Sequence, residues 1–163
     1  MRSEERGAFR ISLPWFGIEM VMPEALRVGS LSCVTFEIYA YLTWATLGHE
    51  RLIDAEVGAF LQGALPGLAS RHHTRILELG LVSDEVHIVV ELPHHVDVPR
   101  LLQGLKGASA RIANRDGVAK QRPLRWAPGY HLRSLNPGTV ERAREYVREQ
   151  PRRHPQRAIP GFT

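Results

Sequence analysis

The chain has 163 residues, 44% hydrophobic and 23% charged, which suits one domain with an ordinary core and excludes a disordered or fibrous class. No apolar run approaches the ~20 residues of a bilayer span, and Met1-Arg2-Ser3-Glu4-Glu5-Arg6 has no apolar block behind it, so neither a membrane partner nor a secretory signal is expected. The net charge of +4 is unevenly spread: residues 100–163 hold 12 Arg and 2 Lys against 1 Asp and 3 Glu, a balance of +10, while residues 1–99 stand at −6. A basic C-terminal third suits a polyanion, because each neutralised phosphate releases condensed counterions; an Arg-rich surface with no such partner has the same composition. Cys33 is the only cysteine, which rules out an internal disulfide and a cysteine metal site and fits a reducing cytoplasm.

In chain order, 9–13 alternates like a short strand and 13–17, with Pro14 and Gly17, reads as a turn; residues 1–34 are taken as an N-terminal extension. The first convincing strand is 35–46, with Phe36, Ile38, Ala40 and Leu42 on one face and Glu37, Tyr39, Tyr41 and Thr43 on the other. Asp54 caps a helix to about Arg71 that Pro66-Gly67 should interrupt. Strands at 74–82 and 85–92 join through Ser83-Asp84, and Asp97 caps a helix through Leu101, Leu102, Leu105, Ala108 and Ile112. Residues 124–135 read as extended. The last helix starts near Asn136-Pro137 or Thr139 and stops at Gln150, before Pro151, and 151–163 reads as a mobile basic tail. The order β-α-β-β-α-β-α predicts an α+β fold: an antiparallel sheet with helices on one face, a ferredoxin-like or RNA-recognition-like sandwich.

Two segments carry chemistry. In Glu85-Val86-His87-Ile88-Val89-Val90-Glu91, alternation sends Val86, Ile88 and Val90 toward the helices and Glu85, His87, Val89 and Glu91 to the opposite, open face. Glu85 and His87 then stand side by side, an oxygen and a nitrogen donor able to share a divalent ion; a merely polar strand face has the same pattern. In Tyr146-Val147-Arg148-Glu149-Gln150, positions 146 and 150 share a helix face. A tyrosine hydroxyl attacks a phosphodiester when a metal polarises the phosphate, although an edge tyrosine with a wet hydroxyl is common in amphipathic helices. Tyr130 is a rival nucleophile. The pairs His72-His73 and His94-His95, and His131, read as surface or structural.

Four blocks in order resemble the single-tyrosine transposases of the insertion-sequence 200/605 family, which include the REP-associated tyrosine transposases. Ser83-Asp84-Glu85-Val86-His87-Ile88-Val89-Val90 resembles the strand with the family's His-hydrophobic-His (HUH) motif. Leu102-Gln103-Gly104-Leu105-Lys106-Gly107-Ala108-Ser109 is similar to the helix that follows. Trp126-Ala127-Pro128-Gly129-Tyr130-His131-Leu132-Arg133-Ser134 is similar to the extended segment before the last helix, and Glu145-Tyr146-Val147-Arg148-Glu149-Gln150 to the tyrosine helix. The likeness covers 35–150, read as a single-strand DNA-binding domain. Where the family has its first metal-binding histidine, this chain has Glu85.

The resemblance implies a cytoplasmic, nucleoid-associated homodimer that recognises DNA hairpins and cleaves and rejoins a single strand through a 5′-phosphotyrosine. It assigns Tyr146 as nucleophile and Glu85, His87 and Gln150 as ligands of a divalent metal, Mg²⁺ or Mn²⁺. Lys106, Arg111, Arg115, Arg125 and Arg133 are the candidate phosphate contacts. The rival readings are a domesticated, cleavage-dead DNA binder and an RNA-binding sandwich that stacks bases on Tyr39 and Tyr41.

Overall fold

The computed structural model describes residues 37–162, together with the backbone of 8–13 and 18–23. These two strands, β1 (Ala8–Leu13) and β2 (Ile18–Pro23), pair antiparallel from Leu13↔Ile18 to Ala8↔Pro23, within a compact unit of their own at Met1–Thr35. The turn read at 14–17 and the start of the strand read at 35–36 lie outside the described residues.

In the second unit the elements follow as β3 (Ile38–Ala45), α1 (Ala55–Ser70), β4 (Arg75–Val82), β5 (Glu85–Leu92), α2 (Val98–Arg115), β6 (His131–Leu135), α3 (Val140–Arg148) and α4 (Gln150–Arg153). The sheet runs β4-β5-β3-β6 and is antiparallel at each pairing, the ferredoxin-like order. Because β3 and β4 both run against β5, they point the same way, and only a crossover such as α1 can join them.

Period-2 alternation sends Ala40, Leu42 and Trp44 of β3 and Val86, Ile88 and Val90 of β5 to one face. There Val57, Leu61, Leu65 and Leu68 of α1 and Leu101, Leu102 and Leu105 of α2 cover them, none more than 6% exposed. Each such aliphatic side chain contributes about 1.5–3 kcal/mol by leaving water. Asp54 and Asp97 accept from the backbone N–H groups of Val57 and Arg100, at 2.9 and 3.0 Å, so both predicted caps form.

Four expectations are corrected. The long helices α1 and α2 share one face, but α3 packs on the other, where Val140 and Val147 join Val89 in a second apolar cluster. The face expected to be open is therefore partly roofed, because Val89, Tyr39, Tyr41 and Leu77 give it enough apolar surface to bury a helix. Pro66 does not interrupt α1, which runs through to Ser70. Pro66 is exposed, so the carbonyl it leaves without a donor faces the solvent side. In 124–135 only His131–Leu135 forms a strand, and Thr46 and Trp126 make an isolated bridge.

Residues 151–162 are no loose tail. Ile159 is 4% exposed in the main core, Phe162 packs against Gly58, and the Ser83 N–H donates to the Arg157 carbonyl at 2.7 Å. Pro151 lies in the first turn of the short α4 rather than ending the fold, as its missing N–H permits near a helix start.

Gly80 seats the tyrosine-bearing helix. A Cβ built there would lie 2.3 Å from the Val147 carbonyl oxygen and 2.9 Å from its Cγ1. Gly80 is also the register partner of His87, so the end of α3 sits over the strand beside that histidine. Gly80→Ala should displace α3 and cost about 1–3 kcal/mol in urea unfolding, as overpacking does. An unchanged midpoint would mean that α3 is not held at this crossing.

Candidate active site

The face of β5 and β3 that α3 partly covers gathers the polar residues. His87 pairs with Thr43 across the strands and is 5% exposed. Its Nδ1 lies 2.7 Å from the Tyr41 hydroxyl, and its Nε2 is buried with no hydrogen-bond partner among the described residues, 3.7 Å from Glu85 Oε2. Glu85 accepts from the Thr43 hydroxyl through Oε1 and from Arg157 Nη2 through Oε2, at 2.6 Å for the latter. Arg157 Nε also donates to Asp84 Oδ1 at 2.7 Å.

The tyrosine helix meets this group through one ring. Tyr146 is 41% exposed and packs edge-on to Tyr41 with ring centroids 6.2 Å apart, and the Arg153 guanidinium stands 5.2 Å from its ring. Tyr41 is thus a shared neighbour of Tyr146 and His87. Gln150 begins α4, is fully buried, and has neither amide atom hydrogen-bonded among the described residues. A cleft of about 450 Å³ opens beside Tyr146, lined by Tyr41, His131, Arg133, Thr139 and Arg142.

Residues 34–150 match the model of the IS200-like transposases. The chain belongs to that family. Its members transpose DNA, and DNA binding comes with membership. This transposase is 22% identical over 122 residues to the ISDra2 transposase TnpA of Deinococcus radiodurans, covering 71% of this chain and 85% of that one. A crystal structure of a Deinococcus radiodurans R1 transposase superposes with a TM-score of 0.59 at 20% identity, over 81% of this chain and 99% of that one. A REP-associated tyrosine transposase bound to a REP hairpin gives 0.57 at 12%, over 78% and 74%. At these identities the two structures establish the fold.

The transposase brings some predicted residues together and separates others. Tyr146, His87 and Glu85 lie on one face. Tyr130 lies instead in a separate groove of about 520 Å³ between α2 and residues 126–130. Of the phosphate candidates, Arg133 alone lines the Tyr146 cleft, since it stands opposite Tyr41 in the β3–β6 register. Lys106 donates to the Ala127 and Gly129 carbonyls at 2.7 and 2.6 Å, tying α2 to the loop, and Arg115 pairs with Asp116. Arg111 and Arg125 are exposed but do not line that cleft.

Sequence reasoning missed Tyr41, Arg142 and Arg157. Tyr41 was read as a possible base-stacking platform, but α3 and its hydrogen bond to His87 occupy it. Arg142 was legible four residues before Tyr146, on the same helix face. Among the described residues no cluster of three or more His, Cys, Asp or Glu side chains forms a metal site. No described helix is long and apolar enough to cross a membrane.

Burial pushes the His87 imidazole down to about 4 from its ordinary 6.5; Arg157 and His154 push the same way, while Glu85 and Asp84 oppose them. Burial also works to raise Glu85, yet the hydrogen bonds from Thr43 and Arg157 outweigh it and hold the carboxyl below its usual value. Between pH 6.5 and 4 the unfolded chain takes up a proton that folded His87 refuses. Stability of the metal-free transposase should therefore fall as pH drops through that window, by up to about 3 kcal/mol from His87. Glu85 adds its own loss as pH falls through its depressed value. Urea melts from pH 7 to 4 read this directly, and a flat profile would deny His87 its buried neutral state.

Proposed function

We propose that this transposase cleaves and rejoins single-stranded DNA through Tyr146, with a divalent ion, Mg²⁺ or Mn²⁺, held by His87, Gln150 and Glu85. The observation that carries the reading is that, of the six buried polar side-chain atoms without hydrogen-bond partners among the described residues, three belong to His87 (Nε2) and Gln150 (both amide atoms), the others being Trp44 Nε1, Ser83 Oγ and Arg144 Nε. An unpaired buried polar atom costs about 1–3 kcal/mol, and a bound cation would satisfy the His87 nitrogen and the Gln150 oxygen. The donor set of imidazole, amide and carboxylate suits Mg²⁺ or Mn²⁺. When bound, the ion would supply Lewis-acid polarisation of the scissile phosphate.

The chain's own groups do the rest. The Tyr41 hydroxyl orients the His87 ring, as an outer partner fixes a ligating imidazole. Arg133 and Arg142, which have no carboxylate partner among the described residues, hold phosphate oxygens along the cleft. The Tyr146 oxygen attacks phosphorus, giving up its proton as the phosphotyrosine bond forms. The leaving 3′ oxygen takes a proton and departs as a free hydroxyl. Rejoining reverses the step, with a 3′-hydroxyl attacking phosphorus and Tyr146 leaving.

Hairpin ends as the recognised DNA, a homodimer as the working unit and a cytoplasmic, nucleoid-associated setting belong to the same reading, as do residues 1–34 as an extension to the 35–150 domain. A second reading, a cleavage-dead binder, is favoured by the Arg157 guanidinium engaged with Glu85. The test is a denaturant-resistant protein–DNA adduct formed on single strands from the DNA flanking the gene, with Mg²⁺, Mn²⁺ or chelator. A metal-dependent adduct supports the enzyme. Hairpin binding without an adduct in any metal supports the binder.

A further inference from the structure

Glu85 and Arg157 are parts of one arrangement. A neutral histidine at position 85 could accept at most one uncharged hydrogen bond from a guanidinium, whereas a carboxylate makes a charge-assisted pair with it. Arg157 reaches Glu85 Oε2 through Nη2 at 2.6 Å and Asp84 Oδ1 through Nε at 2.7 Å. It lies beyond residues 34–150 that match the family model, in the C-terminal segment. That segment is firmly seated by the Ser83 N–H on the Arg157 carbonyl and by Ile159 in the core.

The same Glu85 Oε2 lies 3.7 Å from His87 Nε2, and those are the two atoms a shared cation would bridge. A Mg²⁺-sized ion sits ~2.0–2.1 Å from its oxygen ligands, so it would touch the atom that the guanidinium already occupies. A dication and a guanidinium on one carboxylate oxygen repel, so seating either one weakens the hold on the other. Resting on the proposed metal site, we infer that Arg157 is an internal competitor for its cation and sets the affinity with which the site takes a divalent ion. A ligand that must first displace an occupied state binds more weakly by the fraction of time the site is free.

The test is Mn²⁺ binding to the full-length protein, read from the free-ion electron paramagnetic resonance signal without DNA. Arg157→Ala and Arg157→Gln should bind Mn²⁺ roughly tenfold more tightly than the wild type, while Arg157→Lys, which keeps the charge, stays within a few-fold of it. The glutamine variant preserves much of the side-chain length, and thermal melts establish that each variant folds. Adding His87→Ala should abolish the binding in every background. Equal, His87-dependent affinity in the wild type and in Arg157→Gln would leave the metal site standing and overturn the role of Arg157. Absence of any His87-dependent Mn²⁺ binding would overturn the metal site, and this inference with it.

Discussion

Tyr146→Phe should leave no covalent protein–DNA adduct on a single strand that the wild type captures, with at least a ~10³-fold loss of strand cleavage. The change removes one oxygen, and that oxygen is the proposed nucleophile. Tyr41 is the nearest other phenol described, but its hydroxyl lies against His87 Nδ1 and burial drives its ionisation upward, so it is a poor substitute. Tyr130 stands in the groove beside α2, and Tyr130→Phe should retain the adduct. Folding should hardly change. Tyr146 is 41% exposed, and its contacts with Tyr41 and Arg153 are made by the ring that phenylalanine keeps. A shift within ~0.5 kcal/mol in urea unfolding is expected. DNA binding should also persist, because Arg133 and Arg142 are untouched. Gel analysis after denaturation measures the first effect; an adduct that survives in Tyr146→Phe and vanishes in Tyr130→Phe would reassign the nucleophile.

How much of this was legible follows from which interactions are local. Strand alternation correctly put Ala40 and Leu42 on the core face of β3 and Val86, Ile88 and Val90 on that of β5, because a period of two is fixed by the backbone. The caps at Asp54 and Asp97 were legible for the same reason. The position of α3 was not. Its apolar residues Val140 and Val147 announce a packed face without saying which side of the sheet receives it; Gly80 and Val89, far away in sequence, decide that. Arg157 was harder still. Three prolines and several arginines read as a solvated tail, and only the tertiary contacts of Ile159 and Ser83 turn that segment back onto the sheet. Lys106 shows what a motif leaves out: a cation in a family-like block suggests a phosphate role, and the fold adds that two of its three donors tie α2 to the Ala127 and Gly129 carbonyls.

His87→Ala should lower metal-dependent cleavage on the order of a hundredfold or more, and should also remove the stabilisation that Mn²⁺ gives the fold. Wild-type protein in metal at 100 times its dissociation constant gains about 2.7 kcal/mol, because the ion binds the folded chain alone. That corresponds to a rise of roughly 5–11 °C in the melting temperature for a chain of this size. His87→Ala should show none of it. Without metal the variant should be less destabilised than its burial suggests. It loses the Tyr41 hydrogen bond and opens a small cavity, but it also removes the unpartnered Nε2, whose burial costs about 1–3 kcal/mol. The two contributions oppose, so calorimetry with and without Mn²⁺ separates ligand loss from damage to the fold. A melting temperature that responds to Mn²⁺ equally in wild type and His87→Ala would move the metal away from this histidine. A variant that melts far lower even without metal would make His87 a packing residue first.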